Sequence, residues 1–228
     1  VNHLGFNNKG VQHLKNNLEL IERNQPIGIN IGKNSDTKME SAHKDYQYCM
    51  KEIFFLADYI TLNISSPNTS RLRELHSDNY LDKFLYEIKK THDELSKKYK
   101  KIVPLVLKIS PDIEKDNLKA LCKKMLNYEI DGVIATNTTI DKNILIDKSF
   151  LDHKGGVSGK PLFNKSNILI KDIKDLVKNN ITIIGAGGIT TKKSATEKLD
   201  SGADLLQLYT GLVYYGLDLI KEITNEIG

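Results

Sequence analysis

Short apolar runs alternate with longer amphipathic stretches from one end of the chain to the other. The runs at 27–31, 59–64, 103–109, 132–136, 181–186 and 204–209 are rich in Ile, Val and Leu and predict six buried strands. Between them, apolar residues recur three or four positions apart: Val11, Leu14, Leu18 and Ile21; Cys49, Ile53 and Leu56; Leu81, Leu85 and Ile88; Leu118, Leu121 and Met125. That spacing lines one face of a helix and leaves the charged residues on the other. Further helices are predicted over 167–178, over 191–201 and from Leu217 onward. Strand and helix in strict alternation predict βα units and a parallel sheet.

Such units form either an open doubly wound sheet or a closed (β/α)₈ barrel. An open sheet gathers its ligand groups at one switch point, whereas a barrel draws them from the ends of many strands. Here nearly every strand runs into polar or glycine residues: Asn30, then Asn63 and Ser66, Lys108, Asn137 and Thr138, Gly187 and Gly188, and finally Tyr209 and Thr210. This favours the TIM barrel as a single domain over 1–228, with about six of the eight βα units and a barrel incomplete at its N-terminus. The irregular, glycine-rich stretch 153–161 is expected to be a functional loop.

Composition narrows the classes further. The 228 residues are 39% hydrophobic and 27% charged, as expected of a globular domain. No apolar run reaches the roughly 20 residues of a membrane-spanning helix. The net charge of +4 comes from lysines mixed with acidic residues, without the basic, aromatic-studded stripe that nucleic acid would require. Two distant cysteines and six scattered histidines predict neither a disulfide framework nor a metal site.

The candidate chemistry lies in four places. In I-T-L-N-I-S-S-P-N-T, from Ile60 to Thr69, an apolar strand opens into Asn63, Ser65, Ser66 and Asn68, groups that need polar partners. In V-P-L-V-L-K-I-S, Lys108 is nearly inside the sheet. Three readings stand there: a snorkelling edge lysine, a Schiff-base lysine, or a cation facing an anionic cofactor. I-I-G-A-G-G-I-T and L-L-Q-L-Y-T-G place glycines and a helix start at the last two strands, where barrels hold phosphate on backbone N–H groups. G-G-V-S-G at 155–159 is expected to add further amides. The Tyr214–Tyr215 pair is expected to pack at a helix start.

In order, N-I-S-S-P-N-T, L-V-L-K-I-S-P-D, D-G-V-I-A-T-N-T-T, G-G-V-S-G-K-P-L, I-I-G-A-G-G-I and L-Q-L-Y-T-G resemble the successive motifs of dihydroorotate dehydrogenases over essentially the whole chain. N-H-L-G-F-N-N is similar to the family's N-R-x-G-F-N-N, with His3 in place of arginine. Ser66 stands where the soluble class 1 enzymes carry a catalytic cysteine, so the chain resembles the quinone-reducing, membrane-associated class 2. The resemblance implies an FMN enzyme of pyrimidine biosynthesis that oxidises dihydroorotate to orotate and passes electrons to a quinone. Ser66 would be the catalytic base. Asn30, Asn63, Lys108, Thr136, Gly159, Gly188, Tyr209 and Thr210 would hold FMN, and Asn2, Phe6, Asn63, Asn68, Asn137 and Thr138 would form the orotate pocket. It further implies a peripheral inner-membrane location, with contact made only through N-terminal helices that precede this stretch in the family. Ser70 and Arg71 replace the family's Pro-Gly in the lid expected over 67–79. The rival enzymatic reading is another FMN-dependent dihydropyrimidine oxidoreductase. A rival from a different class is an inactive fragment that needs a partner segment.

Overall fold

The computed structural model describes residues 1–5, 7–66, 73 and 78–227. Its elements run α1 (Val11–Leu20), β1 (Gly28–Gly32), α2 (Ala42–Ile53), β2 (Tyr59–Asn63), α3 (Asp78–Tyr99), β3 (Leu105–Ile109), α4 (Lys115–Asn127), β4 (Gly132–Ala135), α5 (Phe163–Val177), β5 (Thr182–Ala186), α6 (Lys192–Asp200), β6 (Leu205–Gln207) and α7 (Thr210–Ile227). The six strands are parallel and pair in sequence order.

Alternation along each strand sorts the side chains onto two faces. One face carries Ile60, Leu62, Leu105, Leu107, Ile109, Val133 and Ile183, which pack with the buried faces of α2 to α5 into the main core. The other carries Val106, Ile134, Ile184 and Ala186, with Tyr59 against them, in a separate small cluster. That second face is concave. Lys108 on β3 donates to Gln207 Oε1 on β6 at 3.1 Å, although a flat sheet would set strands three apart about 14 Å from each other. Only a strongly curled sheet brings these side chains together, and such a curl is the geometry of a barrel wall.

β1 and β6 are the edges of this sheet. Between them, on the concave side, lies an apolar cleft of about 1010 Å³, walled by Tyr59, Val106, Ile184 and Leu205 and by Leu212 and Ile223 of α7. The fold is therefore six consecutive units of a (β/α)₈ wall, as the strand pattern predicts.

Four expectations need correction. α5 starts at Phe163 rather than at residue 167, because Pro161 opens a short 3₁₀ turn that leads straight into it. The last helix starts at Thr210 rather than at Leu217, and the non-helical backbone of Gly216 (φ 65°) divides it just before that expected start. Tyr214 and Tyr215 are exposed on this helix, so they do not pack at its start. Leu14 and Ile21 are exposed as well, which leaves only Leu18 of the α1 stripe buried. No described helix is long and apolar enough to cross a membrane.

Candidate functional site

The carboxyl ends of the strands surround a second cleft, of about 240 Å³. Its wall includes Asn2, Asn30, Lys108, Thr136, Asn137, Thr138, Gly159, Gly188, Tyr209 and Thr210, ten residues singled out from the sequence. Gln207 and Leu208 belong to the walls of both clefts, so the polar upper space opens onto the apolar interior. Phe6, Asn68 and Thr69 lie outside the described residues, as does all of the expected lid except Arg73 and residues 78 and 79.

Asn63 and Ser66 are not in the wall of this cleft but stand directly beside it. Asn63 ends β2, and its Oδ1 accepts from Ser65 N at 3.2 Å, from Ser65 Oγ at 3.0 Å and from Asn137 Nδ2 at 3.4 Å. Asn137 Nδ2 also donates to Ser65 Oγ at 3.0 Å, while its Oδ1 accepts from Thr138 N at 2.8 Å. A buried Tyr46 hydroxyl donates to the Asn63 carbonyl at 2.7 Å and pins the strand end from below. The two carboxamides are thus fixed in rotation by a network joining β2 to the loop after β4. Ser66 follows this network immediately and is only 5% exposed.

Lys108 settles one open question. β3 is an internal strand, and the half-buried Lys108 reaches across the concave face into the cleft, so the edge-lysine reading fails. Its partner Gln207 is a neutral carboxamide, and no carboxylate pairs with it among the described residues. Burial alone pushes its pKa down from 10.5 to about 8. At neutral pH the site therefore carries a half-buried positive charge without a counter-charge among the described residues.

The glycine motifs divide into two kinds. Gly188 has φ +78°, and a Cβ there would come within 2.5 Å of Phe163 Cβ and 2.9 Å of Phe163 N. The Gly187–Gly188 turn thus rests directly on the start of α5, and Thr210 opens α7 beside it, its hydroxyl donating to Ser158 Oγ at 3.0 Å. Backbone N–H groups at such turns and helix starts suit an anion. Gly155 serves a different end. A Cβ there would lie 1.8 Å from Asn2 O, and the neighbouring Gly156 exchanges two backbone hydrogen bonds with Asn2, at 3.0 and 2.8 Å. The first part of G-G-V-S-G therefore seats the N-terminal segment over the cleft, and only Gly159 of its glycines joins the cleft wall.

A charged cluster that sequence reasoning missed closes one side. Arg73 donates to Asp112 at 2.7 Å, to Thr138 O at 3.0 Å and to Ser65 O at 3.3 Å. Lys165 reaches Asp112 at 2.7 Å and Asp141 at 3.3 Å, and Thr139 Oγ1 also donates to Asp112. Burial opposes ionisation of Asp112, but bonds from Lys165, Thr139 and Ile140 N and the Arg73 charge outweigh it and hold the carboxyl below its ordinary range. Gln207 was missed as well, although its place two residues before Tyr209 in L-Q-L-Y-T-G puts it on the inward face.

A curled parallel sheet with its polar cleft at the strand carboxyl ends defines a protein of the (β/α)₈-barrel class. The chain belongs to the dihydroorotate dehydrogenase family, whose model matches residues 1–228. It is 47% identical over 227 residues to a dihydroorotate dehydrogenase (quinone) of Buchnera aphidicola subsp. Schizaphis graminum and 43% identical to one of Aliivibrio fischeri strain MJ11. These alignments cover 100% of the chain and 68% of each relative. Among solved structures, it resembles the Eimeria tenella dihydroorotate dehydrogenase in complex with ferulenol, at TM-score 0.86 and 28% identity over 100% of this chain and 66% of that one. The ligand-free enzyme of the same organism matches at TM-score 0.89 and 29% identity, over 98% of this chain and 67% of that one. The chain thus spans about two thirds of the length of its relatives. The family is one of oxidoreductases that convert dihydroorotate to orotate in pyrimidine biosynthesis.

Proposed function

We propose that this chain carries the dihydroorotate-oxidising site of a quinone-dependent enzyme, with FMN as its flavin and orotate as its product. The observation that carries the reading is the half-buried Lys108 ammonium, which lacks an anionic partner among the described residues and stands in the same cleft as the Gly188 and Thr210 cradle. FMN fits this donor set: a phosphate suits the amides at one end, and a ring edge that becomes anionic suits a lysine at the other. Asn30, Asn63 and Thr136 would hold the ring and its ribityl chain, while Gly159, Gly188, Tyr209 and Thr210 would hold the phosphate.

When bound, FMN supplies the acceptor for the hydride from substrate C6. The chain's own groups do the rest. Asn2, Asn137 and Thr138 would meet the cyclic imide of the substrate together with Asn63, Phe6 and Asn68, because carboxamides both donate and accept. Among the described residues Asn63 Nδ2 makes no hydrogen bond, which suits a ligand carbonyl. Ser66 would take the proton from substrate C5. A hydroxyl is a weak base near pH 7, so its burial beside the Ser65–Asn137 network suits a relay that carries the proton onward. Lys108 stays protonated and stabilises the negative charge that develops opposite it. Quinone would reoxidise the flavin, and peripheral contact with the inner membrane would belong to parts of the full-length enzyme beyond this stretch.

The test is the visible spectrum of the purified chain loaded with FMN, recorded without oxygen before and after dihydroorotate is added. Bleaching of the flavin band by dihydroorotate, and not by dihydrouracil, is expected. A band that persists with dihydroorotate, or that bleaches only with dihydrouracil, would overturn the substrate assignment.

A further inference from the structure

Behind the Gly187–Gly188 turn, on the helix side of the sheet, a second lysine is buried without a counter-charge. Lys198 of α6 is fully inaccessible to solvent. Its Nζ donates to Ser166 Oγ at 2.9 Å and to Asn167 Oδ1 at 2.6 Å, both in the first turns of α5, and it stands 5.0 Å from the centroid of the Phe163 ring. No carboxylate forms an ion pair with it among the described residues. Its stem crosses Gly185 of β5, where a Cβ would lie 2.8 Å from Lys198 Cγ and Cδ. A glycine in that strand is what admits the lysine.

This placement is costly for stability alone. A dehydrated ammonium with only neutral partners loses more hydration than a hydroxyl and a carboxamide return, and the same burial pushes its pKa down from 10.5 to about 8. It also stands at the N-terminal, positive end of α5, where the helix dipole disfavours a cation. A methionine would fill the same volume without these costs. The contacts, however, converge on the glycine turn: Ser166 Oγ donates to Ala186 O at 2.6 Å, and Phe163 is the residue against which Gly188 packs.

We propose that Lys198 is a positioning residue for the ligand's phosphate: a fixed positive charge behind the Gly187–Gly188 turn that strengthens the anion cradle through the backbone without touching the phosphate. This rests on the FMN reading above. An anion at the turn offsets both costs at once, since it supplies the missing counter-charge and adds its own favourable interaction with the start of α5.

The experiment titrates the 228-residue chain with FMN, with riboflavin and with inorganic phosphate as a competitor, read by flavin fluorescence. The wild type is expected to prefer FMN strongly to riboflavin. Lys198→Met should weaken FMN about tenfold, the scale of one unit charge acting across roughly 10 Å at an effective dielectric near 20, and leave riboflavin unchanged. Asn167→Asp neutralises the ammonium through a contact already 2.6 Å long, retains the fold by strengthening the tether, and should give the same selective loss. Inorganic phosphate should displace FMN from the wild type, with a higher inhibition constant in both variants, and should not displace riboflavin from any of the three. If both variants keep the wild-type preference for FMN over riboflavin, or if they lose both ligands equally, Lys198 is a structural tether and the proposal fails. A wild type that binds both flavins equally overturns the phosphate reading itself, and the Lys198 proposal with it.

Discussion

Replacing Lys108 with methionine removes the site's inward charge while preserving most of its volume, and the structure fixes how stability should respond to pH. In the unfolded chain the ammonium keeps its proton up to its ordinary 10.5, whereas in the folded chain it releases it at about 8. Between these values the unfolded state binds more protons, so the wild type gains stability as pH rises; below about 8 both states are protonated and the gain is absent. The full difference corresponds to roughly 3 kcal/mol at 1.36 kcal/mol per pH decade. Between pH 7 and pH 9.5 the part realised is about 2 kcal/mol. Urea unfolding of wild type and Lys108→Met at these two pH values isolates it, because Lys108 is the one titratable group that differs between the two proteins. The stability difference between the two should shift by about 2 kcal/mol in favour of the wild type at the higher pH. A difference that does not change with pH would mean that Lys108 is solvated or paired, and the argument for an uncompensated charge in the cleft would fall.

Three further substitutions probe the surrounding parts. Ser66→Ala should retain the flavin but slow its reduction by dihydroorotate about 10²- to 10⁴-fold, the usual scale for a lost general base; an unchanged reduction rate in a stopped-flow experiment would remove Ser66 from the reaction. Arg73→Ala cuts the bonds to Asp112, Ser65 O and Thr138 O, at about 1–3 kcal/mol for groups left unpaired. The melting temperature should fall accordingly, and an unchanged melt would show that the Arg73 bonds do not tie the ends of β2 and β4 together. Gly188→Ala forces a Cβ into Phe163 at a positive φ, so FMN affinity should fall at least as far as in Lys198→Met; tight FMN binding in this variant would place the phosphate elsewhere.

Some of this site was legible from one-dimensional pattern and some was not, for physical reasons. All six strands fall within two residues of their predicted ends, because strands buried on one face by helices and on the other by a barrel interior read as unbroken apolar runs. Strand-end chemistry was legible for the same reason, since Asn63, Lys108 and Thr136 interrupt those runs. The start of α7 was not, because Y-T-G reads as a turn until the neighbouring strand end is known to receive it. The Arg73–Asp112–Lys165 cluster joins residues 39 and 53 positions apart, and nothing in the local spacing announces it. Lys198 was the least visible of all. In A-T-E-K-L-D it looks like any solvated helix lysine, and its burial follows from the missing side chain of Gly185 in a different element.

The half-buried Lys108 and the buried Lys198 give the site a polarity that neither creates alone. Lys108 stands on the concave face of β3 and Lys198 on the helix side of β5, so on the proposed reading one charge would meet a ligand inside the barrel wall and the other would act through it. Both are held by neutral amide or hydroxyl partners, while among the described residues Asp112 and Asp141 pair with Lys165 and Asp204 with Lys174. An ion pair at either lysine would cancel the field where a ligand must bind, and that cancellation would be strongest where water is excluded. Folding therefore carries the cost of two unbalanced charges, and a dianionic phosphate joined to a ring that takes up negative charge on reduction would relieve both of them.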